Sequence, residues 1–317
     1  MQQNNHNYLY TFNHDPTERE LCQLEARFVF NKVLQGKWLF TDVEVDPSCS
    51  AFIKNRLRII SCSDSYDTLI QEIKKENIEV EAFKVEYVVF DGDETPYTER
   101  LQKLRDIGYS IEGMHEYYNP DITYGMCYCE GTWYFGELLK NNFDWHKHKQ
   151  KPYSFSNSIS VNIGKALVNI AVNNTKESTL LDACCGVGTI MLEACFAGNH
   201  IEGCDINEKT AKNAKENLAH FNYNATIYHS DVKDLKHRYD SAIIDLPYNL
   251  FTSATDSDIE HIITATATLT DRLVIVSISD ITDLINNIGF RIADYCSVSK
   301  RGKTNFARKI WVCEKRK

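Results

Sequence analysis

The chain has 317 residues and a formal net charge of −9, with 35 Lys and Arg against 44 Asp and Glu. That balance argues against a nonspecific nucleic-acid coat, while leaving room for a local basic face on phosphates. No apolar run approaches the ~18 residues of a membrane span, and a hydrophobic share of 43% suits a folded chain of about two domains. Residues 1–7 are polar and read as neither signal nor transit peptide. Eleven scattered cysteines, with no C-x-x-C pair, read as reduced thiols of a cytoplasmic protein. Neither a metal site nor a membrane partner is expected.

In chain order, residues 8–12 alternate as a strand. A helix follows from Pro16, with Asp15 as N-cap and Leu21, Leu24, Phe28 and Val33 on its apolar face. Residues 38–40 with 43–45, then 56–62 and 83–90, read as strands, and 65–75 as a helix. Another helix, 95–107, has Pro96 at its first position and ends at Gly108. The strands 119–128 and 132–136 meet at Glu130-Gly131, a hairpin signal. Residues 1–140 thus read as a mixed α+β unit, and 141–157 as a polar linker.

From residue 158 to 317 the texture changes to alternating strands and helices. Strands fall at 179–182, 200–205, 225–229, 241–245, 273–277 and 310–313. Helices fall at 158–171, capped by Ser158, and at 189–197, 208–220, 256–269 and 281–288. This alternation predicts an α/β, Rossmann-like, doubly wound parallel sheet.

The first of those strands ends in Asp182-Ala183-Cys184-Cys185-Gly186-Val187-Gly188-Thr189. An acid, two glycines and a helix make a loop through which a ligand can pass close to the backbone. The phosphate-cradle signatures are absent, so the loop suits a ligand with an ammonium group and no phosphate. S-adenosylmethionine is such a ligand. The next strand ends at Asp205-Ile206, where an acid can accept both ribose hydroxyls. The one after ends at Asp231-Val232, where an acid can receive the adenine amine. The cofactor set is therefore Asp182, Cys184, Gly186, Gly188, Thr189, Asp205, Ile206, Asp231 and Val232.

The fourth strand ends in Asp245-Leu246-Pro247-Tyr248. A ring-attached amine is a poor nucleophile because its lone pair is delocalised. Asp245 and the Leu246 carbonyl, stiffened by Pro247, can accept its two N–H bonds and localise that lone pair. Tyr248 can stack on the base. These four residues form the candidate catalytic loop.

The segments 151–158, 164–171, 181–189, 203–206 and 245–248 together resemble the tRNA guanosine-N2 methyltransferases that join a THUMP-type RNA-binding region to a Rossmann-like catalytic domain. Asn119-Pro120-Asp121-Ile122 and the stretch 131–136 look like the closing hairpin of a THUMP region. The resemblance implies that Asp182, Gly186 and Gly188 bind the methionine part and Asp205 the ribose. It places Asp231 by the adenine, with Asp245, Pro247 and Tyr248 on the target guanine. Leu246 and Asn249 stand where the family has Pro and Gly. The implied partner is tRNA or another structured RNA. Basic stretches at 145–151 and 300–309 are placed to meet phosphates, with His146 and His148 exposed. Ribosomal RNA guanine-N2 methylation, DNA adenine-N6 methylation and non-catalytic RNA binding stay open as alternatives.

Overall fold

A computed structural model of the chain describes residues 6–90, 92–155, 158–175, 177–247, 255–299 and 306–316. The chain divides into two compact units. One comprises Met1–Asn13, Leu34–Ser48 and Phe52–Asn142, the other His14–Val33, Cys49–Ala51 and Phe143–Lys317. This differs from the expected 1–140, 141–157 and 158–317. Helix α1 (Arg19–Phe30) counts with the second unit because Glu25, buried, takes hydrogen bonds from Ser50 at 2.7 Å and Asn169 at 2.6 Å. The expected linker also differs. Residues Asp144–Gln150 form a 3-10 turn whose Trp145 and His148 are buried in the second unit.

The first unit is one seven-stranded sheet built from β1 (Tyr8–Phe12), β2 (Trp38–Thr41), β3 (Ile53–Ser63), β4 (Glu79–Tyr87), β5 (Glu112–His115), β6 (Ile122–Cys129) and β7 (Thr132–Lys140). Its order is β2-β1-β3-β7-β6-β4-β5. Residues 43–45 add no strand, and β5 has no counterpart in the sequence reading, because its four residues are all exposed and carry no alternation. The hairpin at Glu130-Gly131 forms as expected. Both turn residues take positive φ, 49° and 81°, the twist that suits a two-residue hairpin loop. Helices α2 (Tyr66–Lys75) and α3 (Tyr97–Gly108) cover one face through Leu69, Ile73 and Ile107, packed with Phe83, Tyr124 and Phe135.

The second unit holds α4 (Val161–Val172), β8 (Thr179–Asp182), α5 (Thr189–Phe196), β9 (His200–Asp205), α6 (Glu208–His220), β10 (Thr226–His229), β11 (Ser241–Asp245), α7 (Asp256–Ala267), β12 (Arg272–Ser277), α8 (Thr282–Asn287), β13 (Phe290–Ser299) and β14 (Ala307–Lys315). The sheet order is β10-β9-β8-β11-β12-β14-β13. The five strands from β10 to β12 run parallel, as the alternation predicts. Strands β14 and β13 close the far edge antiparallel. Strand β13 is absent from the sequence reading, since a bulge between Ile292 and Asp294 breaks its period. Helix α4 starts later than expected, capped by Ser160, whose side chain accepts from the Ile163 amide.

Successive residues along the central strands, such as Leu180 with Leu181 and Ile243 with Ile244, are all buried. Parallel strands need this, because helices cover both faces. One face packs Ile263 and Ala267 of α7, with Ile281 and Ile285, on Leu181, Ile244 and Trp311. Helix α1 adds a bidentate pair from Arg27 to Asp294 of β13, at 2.6 and 3.0 Å. No described helix is long and apolar enough to cross a membrane.

Candidate active site

The chain leaves β8 for β9 and β10 on one side, then crosses to β11 on the other. The loops after β8 and β11 therefore diverge, and a crevice opens at their carboxyl ends, where open α/β sheets bind ligands. Asp182 ends β8 and pairs in register with Gly203 and Ile243. Asp245 ends β11, two residues beyond Ile243. The two acids thus flank the switch point.

Asp182 is 1% exposed, and neither carboxylate oxygen has a hydrogen-bond partner among the described residues. Burial holds its carboxyl well above the usual carboxylate range, and Asp245 and Asp205 push the same way. Only the nearby Cys184 amide relieves it, without hydrogen-bond geometry. A buried acid left this way carries a large desolvation cost until a cation or a donor reaches it.

The loop beyond β8 turns on two left-handed glycines, Gly186 at φ 53° and Gly188 at φ 79°. Nothing lies within 4 Å of where a Gly186 side chain would begin, whereas one on Gly188 would meet Ala214 of α6 at 3.2 Å. Gly188 caps α5, and the Thr189 hydroxyl that follows is buried with no partner among the described residues. Burial drives the Cys184 and Cys185 thiols well up, so both are neutral.

Asp205 ends β9 and braces the loop. Its carboxylate accepts the Gly186 amide at 3.0 Å and the Asn207 amide at 2.8 Å. Burial raises its pKa, and those two amides and His229 partly offset the rise. Ile206 beside it is 74% exposed.

Asp231 stands apart from this group. Partial burial pushes its pKa up, but the Lys233 amide, His261 and the Lys233 ammonium outweigh that and hold it low. His261 of α7 contacts both its oxygens, at 3.1 and 3.0 Å. The acids that act on Asp182 are Asp245 and Asp205. Val232 and Leu246 both turn their side chains into the core cluster with Ala183 and Cys204. The Leu246 amide donates to Val276 at 3.1 Å, which continues the β11–β12 ladder past Asp245. Pro247 is half-buried, and Tyr248 lies outside the described residues.

The basic stretches differ from expectation. His148 is buried, with Nδ1 2.6 Å from Glu193 and Nε2 3.0 Å from the Tyr223 hydroxyl, so it is no phosphate contact. His146, Lys147 and Lys149 are exposed. In the second stretch Arg308 is buried and Lys309 reaches Asp280 at 3.8 Å. Residues 300–305 lie outside the described residues. One residue the sequence reading passed over is Asn217 of α6, fully buried against the glycine loop. Its signal was available: it lies on the buried face with Ala211, Ala214 and Leu218, where an amide demands partners.

Residues 149–268 match the family described as RMKL-like, methyltransferase domain. The matched stretch runs from Lys149 to Thr268 and takes in Asp182, Asp205, Asp231 and Asp245. A tRNA (guanine(10)-N2)-dimethyltransferase of Methanothermobacter thermautotrophicus is 27% identical over 119 residues, 37% of this chain and 35% of its own. Another of that name from Methanocaldococcus jannaschii is 26% identical over 160 residues, 45% of each chain. The chain therefore spans less than half the length of either relative. Among solved structures, TrmN from Thermus thermophilus aligns over 98% of this chain and 99% of its own, at 14% identity and a TM-score of 0.48. Among the described residues no group of His, Cys, Asp or Glu is arranged to hold a metal ion.

Proposed function

We propose that this chain is a cytoplasmic S-adenosylmethionine-dependent methyltransferase acting on the exocyclic N2 amine of a guanosine in tRNA. The observation that carries the reading is Asp182, a buried carboxylate with no partner among the described residues, beside two further acids at the switch point. Such a group suits a cationic ligand. S-adenosylmethionine is cationic at its ammonium and sulfonium and carries no phosphate, which fits an acid-and-glycine loop. The open space beside Gly186 leaves room for it against the backbone. In this reading Asp182, Cys184, Gly186, Gly188 and Thr189 hold the methionine part, Asp205 and Ile206 the ribose, and Asp231 and Val232 the adenine.

Bound there, the cofactor supplies an electrophilic methyl group. Asp245 and the Leu246 carbonyl accept the two N–H bonds of the guanine amine, so its lone pair localises on nitrogen. Pro247 keeps that carbonyl in place, and the buried Leu246 side chain anchors the turn. Tyr248 stacks on the base. As the donor's sulfur–methyl bond breaks to leave S-adenosylhomocysteine and the nitrogen–methyl bond forms, the nitrogen would become positively charged and strongly acidic, so its proton would leave to solvent without a dedicated base. The first unit acts as a THUMP-like RNA-binding region. Methyl transfer is supported by the methyltransferase match, and the choice of a tRNA guanine by the names of the two relatives. The test is incubation with methyl-labelled cofactor and, separately, tRNA, ribosomal RNA and DNA, followed by nucleoside analysis. Label in N2-methylguanosine from tRNA is expected. Label only in ribosomal RNA or in DNA adenine would overturn the substrate, and no transfer to any would overturn the activity.

A further inference from the structure

We propose that Asn217 is a positioning residue, locking the glycine loop and the 151–155 segment into the arrangement that binds the methyl donor; this rests on the cofactor reading above. Its side-chain Nδ2 donates to the Val187 carbonyl at 2.8 Å and to the Tyr153 carbonyl at 2.9 Å. Its Oδ1 accepts the Tyr153 amide at 2.9 Å. One fully buried amide thus satisfies three backbone groups in two separate segments. Val187 sits between the two left-handed glycines, so the bond to its carbonyl holds the loop at its turn. Tyr153 is held through both its amide and its carbonyl, as a neighbouring strand would hold it.

The same helix fixes the loop a second time. Ala214, one turn before Asn217, packs where a Gly188 side chain would be. At its other end α6 follows directly on Asp205, whose carboxylate braces the Gly186 amide. The loop therefore has three supports: Asp205 at the end of β9, and Ala214 and Asn217 on α6. Few side chains meet the Asn217 geometry. Asp keeps the acceptor but offers neither donor and sets a buried carboxylate against two carbonyls. Ala and Ser leave Tyr153 and Val187 unpaired, and Gln adds a methylene in a filled site.

The test compares wild type with Asn217→Asp and Tyr153→Pro. The second removes the amide hydrogen that Asn217 accepts, together with the phenol and its interaction with Glu216 of α6, so it is read against Tyr153→Ala, which loses the phenol and keeps the amide. Titration calorimetry with S-adenosylhomocysteine reads affinity, and steady-state methyl transfer reads kcat and the KM for the donor. Asn217→Asp is expected to weaken binding by at least about tenfold, and Tyr153→Pro by several-fold. In both, kcat at saturating donor stays within about threefold of wild type while the KM rises. A merely structural role lowers the melting temperature without changing the affinity of the folded protein, so wild-type affinity in either folded variant overturns the proposal. Where Asn217→Asp does not fold, Tyr153→Pro alone decides. A wild-type chain that binds no S-adenosylhomocysteine overturns the cofactor reading and this proposal together, whereas wild-type binding with equal binding by the variants overturns this proposal alone.

Discussion

Asp182 is the residue whose energetics are most telling. Its carboxyl is held above the ordinary range by burial first and by Asp245 and Asp205 next. A raised folded pKa means that its stabilising, protonated form is fully present below the ordinary carboxylate pKa and is lost as pH rises through the raised value. Asp182→Asn is therefore expected to melt higher than wild type without ligand near pH 8, by about 2–4 °C, and to lose that advantage toward pH 4. Differential scanning calorimetry across that range checks it, and an advantage that persists at pH 4 would contradict the cause. In the proposed reading Asp245 serves the transfer step instead. Asp245→Ala is expected to cut methyl transfer by about a hundredfold or more while affinity for the cofactor stays within about threefold. Single-turnover transfer beside calorimetry separates the two, and retained turnover would sink the role. Asp182 and Asp245 were legible in the sequence because each follows a short apolar run. The partner of Asp231 was not, since His261 lies 30 residues on and reaches it only through the fold. Nor was the burial of His148, hidden in a run of lysines that reads as a solvated face.

At the level of elements, helix α1 and the glycine loop give sharper tests than the sheet. Burial raises the Glu25 carboxyl from 4.5 to about 7, against the relief from Ser50 and Asn169. Its contribution is full below pH 4.5 and is lost as pH rises through 7, a difference of roughly 3 kcal/mol once ionised. Wild type should thus melt progressively lower from pH 5 to 8, and Glu25→Gln should flatten that slope. An unchanged slope would mean that the helix is not tied to α4 and Ser50 through this group. Gly188→Ala places a side chain at φ 79° and 3.2 Å from Ala214. It is expected to destabilise by about 1–3 kcal/mol and to weaken cofactor binding further, through the displaced loop. Most helices and central strands of the second unit were legible from period alone. Strand β13 was not, because Arg291, Asp294, Ser297 and a bulge disguise its alternation. The membership of α1 was not legible either, since contacts such as Arg27 with Asp294 join residues 267 apart in sequence.

At the scale of the whole molecule, the crossing from β10 back to β11 matters most. That single reversal sets the ends of β8 and β11 side by side and makes a shared rim of acids that no one segment encodes. A net charge of −9 makes such a rim more costly still, so its presence asks for a cationic occupant. Fold topology and charge then point to the same place, the carboxyl edge at the switch point, and the methyltransferase match spans it. The most direct measurement is calorimetric titration of the full chain with S-adenosylmethionine, beside Asp182→Asn. Wild type should bind at one site with a Kd in the range of about 1–100 μM, and the substitution should weaken binding by at least about tenfold. Equal affinity in the two proteins, or no binding heat in wild type, would contradict a rim built for a cationic methyl donor.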